Sequence, residues 1–127
     1  MSGASVADTA LTDPELRRSI AATLLPGFVG TTLPSWLEER LRAGLGGVCL
    51  FGQNIASAAQ LRALTEAIYA ANPDAIVAID EEGGDVTRLY YESGSPYPGN
   101  AILGRLGDAG YTERVARRVG RSCAGRA

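Results

Sequence analysis

Residues 46–84 read GGVCLFGQNIASAAQLRALTEAIYAANPDAIVAIDEEGG, and the order of patterns within them decides the fold class. Gly47 to Phe51 (GVCLF) is a continuous apolar run closed by Gly52, the pattern of a strand buried on both faces. Ser57 and Gln60 then form a capping box for a helix whose Leu61, Leu64 and Ile68 face inward, before Asn72-Pro73 stops it. Ala75 to Ile79 (AIVAI) is a second apolar run of strand length, ended by an abrupt change to charge and glycine. Strand, helix, strand predicts a parallel pair with a right-handed crossover. The class is α/β, and the pattern alone leaves a barrel and an open doubly wound sheet both open.

Upstream, Asp13 can cap a first helix, with Pro14 at its first position and Leu16, Ile20 and Leu24 at four-residue spacing until Pro26. A second helix is expected from about Pro34. Leu33, Leu37, Leu41 and Leu45 share one stripe, Trp36 is expected to pack beside it, and Gly44, Gly46 and Gly47 break the pattern. Residues 1–12 are small and polar without a periodic face and read as a flexible tail. Downstream, glycines and prolines at 83, 84, 94, 96, 98 and 99 predict a long surface connection over 83–100. Thr112-Glu113 signals a final helix with Val115, Val119 and Cys123 at four-residue spacing. Two parallel strands leave sheet edges uncovered, so an incomplete domain is expected.

Composition narrows the function classes. The 127 residues fit one domain or part of one, and 46% hydrophobic with 20% charged residues is a globular balance. Twelve basic against fourteen acidic residues give a net charge of -2 with no basic cluster, which argues against nucleic acid as a partner. No apolar run reaches membrane-spanning length and the N-terminus lacks a signal-peptide pattern, so a cytoplasmic protein with no membrane partner is expected. Cys49 and Cys123 sit in apolar segments without metal-ligand spacing and read as two buried thiols. Histidine is absent, which removes the commonest general acid/base and zinc ligand.

The densest polar feature is Asp80-Glu81-Glu82-Gly83-Gly84-Asp85, directly after the second strand. α/β folds place their sites in such strand-end loops. Three readings compete: solvated loop charges, an oxygen site for a Mg²⁺-like ion, or carboxylates that accept hydrogen bonds from a polyhydroxylated substrate. The two glycines are expected to allow a backbone turn that side chains would block.

Taken in order, GGVCLFGQNI at 46–55 and DEEGGDVTRL at 80–89 resemble glycoside hydrolase family 3. That family carries a strand reading roughly GGVILF, an Asn-Ile turn, and a second strand ending in Asp-x-Glu-Gly-Gly-x-Val-x-Arg. Asp80, Glu82, Gly83, Gly84, Val86 and Arg88 fit the motif. Leu24 to Leu33 (LLPGFVGTTL) resembles the stretch ahead of the first strand, so the similarity covers nearly everything from about residue 20. Asp85 departs from it, standing where the family has Arg or another long residue.

The resemblance implies the N-terminal portion of a (β/α)₈ TIM barrel, incomplete in this chain, with residues 13–127 as the partial domain. It also implies removal of terminal β-linked N-acetylglucosamine from a glycan or muropeptide, as in cell-wall recycling, with no cofactor and no metal. In the β-N-acetylglucosaminidase branch the motif's first Asp and final Arg contact sugar hydroxyls, and these positions fall on Asp80 and Arg88. A carboxylate can accept two hydroxyl hydrogen bonds while a guanidinium fork holds it in place. The competing reading of Arg88 is a salt bridge to Glu82 or Asp85 that stiffens the loop.

Retaining glycosidases need a nucleophile and an acid/base, about 5–5.5 Å apart when both are carboxylates. Asp80 and Glu82, alternate residues of an extended segment, are formally available. The family instead takes its nucleophilic Asp from a later strand-end loop, and this branch takes its acid/base from a His-Asp pair on an intermediate loop. No catalytic residue is therefore assigned here. The chain is expected to be a truncated, catalytically inactive part of a hydrolase, or alternatively a non-catalytic carbohydrate-binding or interaction module.

Overall fold

A computed structural model describes residues 13–125; the tail read over residues 1–12 lies outside the described residues. Five α-helices and two strands follow one another there: α1 (Pro14–Ala21), α2 (Ser35–Arg42), β1 (Gly47–Leu50), α3 (Ala58–Ala71), β2 (Ile76–Ile79), α4 (Asn100–Leu106) and α5 (Ala109–Ala124). β1 and β2 pair in parallel with Gly47 opposite Ile76, Val48 opposite Val77, Cys49 opposite Ala78 and Leu50 opposite Ile79. The α/β class and the parallel pair are as expected.

Helix starts follow local chemistry. Asp13 accepts from the Glu15 and Leu16 amides, and Pro14 occupies the first turn of α1, where its missing N–H costs nothing. Ser57 caps α3 by accepting from the Gln60 amide. The return half of the expected capping box is displaced by one residue: the Gln60 side chain accepts from Ala56 N at 2.8 Å, not from Ser57. The same side chain donates to Thr31 O at 2.6 Å and to Asn54 O at 3.2 Å, which ties α3 to the segment ahead of α2.

Leu37, Leu41 and Leu45 from α2 and its exit, Val48 and Leu50 from β1, and Leu61, Leu64 and Ile68 from α3 form the core. Val77 of β2 packs at its edge. Strand alternation sends Val48 and Leu50 to this helix-covered face, with Cys49 on the other. Phe28 completes the cluster from the loop after α1.

Several expectations give way to tertiary geometry. Trp36 is 52% exposed, because a neighbour of Leu37 lies about 100° around the helix from the buried stripe. α1 ends at Ala21, so Leu24 falls outside it, and no residue of α1 is buried. β2 is an exposed-to-intermediate strand, with Ile76 60% exposed; a single parallel neighbour leaves its other edge and part of both faces uncovered. The stretch 83–100 ends in a helix, α4, absent from the sequence reading. α5 begins well before Thr112, at Ala109, because Asp108 accepts from Tyr111 N. Cys49 and Cys123 are free but half-buried rather than fully enclosed.

Candidate functional site

Alternation at the end of β2 divides the three consecutive carboxylates between different environments. Glu81 is the buried one. Its Oε2 accepts from Arg88 N at 2.9 Å and Leu89 N at 3.0 Å, while its Oε1 is buried without a hydrogen-bond partner. Glu81 thus holds the backbone of the returning loop. The sequence reading treated it as the variable position of the motif; its partners come from seven and eight residues downstream, a distance at which no local pattern signals it.

Asp80 and Glu82 remain exposed. Glu82 Oε2 accepts from Asn100 Nδ2 at 2.8 Å, which fastens the loop to the start of α4. Asp80 Oδ2 stands 3.7 Å from an Arg88 guanidinium nitrogen, with side-chain exposures of 56% and 29%. The two residues singled out from sequence are therefore adjacent, and Arg88 reaches Asp80 rather than Glu82 or Asp85. At 3.7 Å the contact is a loose ion pair rather than a hydrogen bond, so both groups keep hydrogen-bonding capacity for a ligand.

The turn between them depends on its glycines. Gly83 and Gly84 have φ of 85° and 57°, in the left-handed region that favours glycine. A Cβ on Gly83 would stand 2.7 Å from Pro98 O, and one on Gly84 would stand 2.8 Å from Gly99 Cα. The turn is closed by Glu82 N donating to Val86 O at 2.9 Å and Gly84 N donating to Tyr97 O at 2.9 Å. Thr87, also buried, accepts from Tyr90 N at 3.1 Å. Arg88 therefore projects from a segment anchored on both sides.

Two half-buried thiols report the local charge. Burial, then the negative charge of Asp80, pushes the Cys49 thiol above its ordinary value. Burial and Glu81 do the same to Cys123, against a backbone hydrogen bond that favours the thiolate. Asp80 thus bears on the β1 thiol and Glu81 on α5. Asp80, Glu81, Glu82 and Asp85 do not converge: among the described residues no group of three or more His, Cys, Asp or Glu side chains is placed to hold a metal ion.

Beside the pair lies a cleft of about 510 Å³ between the β1–α3 and β2–α4 loops, lined in part by Gln53, Ile55, Arg88, Tyr91 and Glu92. The β1–α3 loop is held by Asn54, fully buried, which accepts from Phe51 N at 2.9 Å and donates to Phe28 O at 3.0 Å and Gly30 O at 2.8 Å. Among the described residues no helix is long and apolar enough to cross a membrane.

No protein-family model matches the chain. A β-hexosaminidase of Alkalilimnicola ehrlichii is 42% identical over 89 residues, covering 67% of this chain and 25% of that protein. One from Aromatoleum aromaticum is 36% identical over 118 residues, covering 87% of this chain and 32% of its own length. Among solved structures, a glycoside hydrolase family 3 β-N-acetylglucosaminidase from Paenibacillus sp. str. FPU-7 superposes with a TM-score of 0.77 at 26% identity, over 87% of this chain and 22% of that one. NagZ from Neisseria gonorrhoeae, in complex with N-trifluoroacetyl-D-glucosamine, gives 0.62 at 33% identity over 77% and 30%. The chain spans a quarter to a third of the two curated relatives. In sequence and in fold it is related to a segment of the β-hexosaminidases and β-N-acetylglucosaminidases of glycoside hydrolase family 3.

Proposed function

We propose that residues 13–127 are the first part of a (β/α)₈ barrel and carry the sugar-holding share of a glycosidase site. The activity is hydrolysis of terminal β-linked N-acetylglucosamine, as in cell-wall glycan or muropeptide recycling. The observation that carries this reading is the Asp80–Arg88 pair, 3.7 Å apart at the C-terminal end of β2. That is the face on which parallel strands present binding groups. The β-hexosaminidase relatives and the NagZ structure with a glucosamine derivative support the sugar class.

In this reading Asp80 accepts two sugar hydroxyl hydrogen bonds, and Arg88 donates to the sugar while holding the carboxylate. Glu81 positions Arg88 through its backbone. These 127 residues contain no histidine, and Glu82, bonded to Asn100, is placed as a loop brace. The chain by itself therefore binds sugar without cleaving it.

Titration with N-acetylglucosamine, followed by amide chemical shifts, tests the pair. Asp80→Ala should weaken binding at least about tenfold while leaving the melting temperature nearly unchanged, because an exposed ion pair contributes at most about 1 kcal/mol. Undiminished binding by that variant removes Asp80 from the site.

A further inference from the structure

We propose that the outer face of α5 is a binding strip for single-stranded nucleic acid, formed by Arg114, Arg117, Arg118 and Arg121. All four are exposed, and each stands three or four residues from two of the others, so they share one side of the helix. Val115 and Ser122 turn the other way, Val115 into the protein and Ser122 to the Tyr97 hydroxyl. From Arg114 to Arg121 the strip is about 10 Å long. With Glu113 as its one acidic residue, α5 carries a charge of +3, which leaves -5 on the rest of the chain. The net charge of -2, which argued against a nucleic-acid partner, is therefore an average over two unlike regions.

Four like charges at this spacing oppose helix formation. The helix dipole favours Arg121, in the last turn, but not Arg114 two turns earlier. Glu113 offsets one of the four: its Oε1 stands 2.7 Å from Arg117 Nη2 and 3.0 Å from Arg117 Nε. Among the described residues Arg118 and Arg121 have no carboxylate partner. Phosphates along a strand would relieve the repulsion, and each would meet a planar fork of donors suited to it.

The surroundings of the strip select the kind of polyanion. Apart from the arginines, Tyr111 and Glu113, every exposed position of α5 is Ala or Gly. The face thus lacks the large apolar anchors of a protein interface and those of a helix that inserts into a membrane surface. A flat anionic membrane would also bring the acidic remainder of the chain within a screening length, about 10 Å, whereas a thin single strand touches the strip alone. Tyr111 stands at the head of the strip, its ring centroid 5.6 Å from Arg114 Cζ, and offers an aromatic ring on which an unpaired base can stack.

The test is fluorescence anisotropy of a labelled oligothymidylate of about twelve nucleotides, titrated with the 127-residue chain. Three phosphates neutralised by Arg114, Arg118 and Arg121 predict an affinity that falls about twentyfold between about 50 and 200 mM salt. The double variant Arg118→Gln, Arg121→Gln should bind at least about tenfold more weakly. The control Arg40→Gln, Arg42→Gln, with the same change of net charge on α2, should bind as the parent does. Glu113→Gln, which releases Arg117, should bind more tightly, a gain that a folding defect cannot produce. Tyr111→Ala should cost at least about fivefold, and a duplex of the same length, whose bases are not free to stack, should bind more weakly than the single strand. No binding, an equal loss in the α2 control, or a duplex held as tightly as the single strand overturns the proposal. The strip does not include Asp80 or Arg88, and Arg118→Gln, Arg121→Gln should leave N-acetylglucosamine binding unchanged, so the two sites are tested separately.

Discussion

Consecutive acidic residues are often treated as interchangeable surface charge, yet Asp80, Glu81 and Glu82 have three different duties set by the direction in which an extended chain points each side chain. Glu81 receives two backbone amides in a buried setting, and hydrogen bonds to a charged acceptor contribute more than neutral ones. Glu81→Ala should therefore lower unfolding free energy by about 2 kcal/mol in urea titrations, against almost no change for Asp80→Ala. On the proposed sugar-holding role it should also weaken sugar binding in the folded protein, since Arg88 would lose its backbone anchor; unchanged stability would show the 88–89 amides to be satisfied elsewhere. The motif positions Asp80 and Arg88 were legible in sequence because resemblance marks them. The role of Glu81 was not, because only the folded loop returns its partners to it.

Among the elements, β1 and α3 were readable because each carries a continuous signal: an apolar run, or leucines at helical spacing behind a serine cap. What joins the elements is polar and long-range. Asn54 links the end of β1 to residues 28 and 30 through both ends of its amide, at zero exposure. Asn54→Ala should cost about 2 kcal/mol, since three hydrogen bonds are lost, one of them buried and two partly buried, while Phe28 O keeps its bond from the Gln53 amide, and hydrogen exchange should show faster opening at the Phe51 amide. Protection at Phe51 equal to wild type would count against that tie. Close approach imposes a second constraint: a Cβ on Gly46 would stand 2.1 Å from Ala22 O, so Gly46→Ala must push α1 and its exit away from β1. Trp36 and Leu24 were misread for a shared reason, while α4 carried no signal that was read. Spacing gives a residue's angle on a helix, but not where the helix ends or whether a partner covers that face.

At the scale of the whole molecule, the two thiols make stability depend on alkaline pH. Both hold their protons above the ordinary value of 9.0, so the folded state retains protons that the unfolded chain releases. The contribution is complete below pH 9.0 and is lost as pH rises through the folded pKa values. Denaturation midpoints measured from pH 8 to about 10.5 should fall less steeply in a Cys49→Ala, Cys123→Ala double variant than in the parent. Parallel curves would mean that the thiols do not couple to folding. The sequence by itself determined the α/β class, the parallel strand pair, the core stripes of α2 and α3, and the strand-end motif that carries Asp80 and Arg88, because each rests on short-range periodicity or a contiguous motif. Only the tertiary structure decided which carboxylate is buried, that Arg88 faces Asp80, how exposed β2 and α1 are, and that a cleft with Tyr91 on its wall opens beside the pair. Those facts depend on loops separated along the chain meeting in space, and no local pattern of residues encodes the meeting.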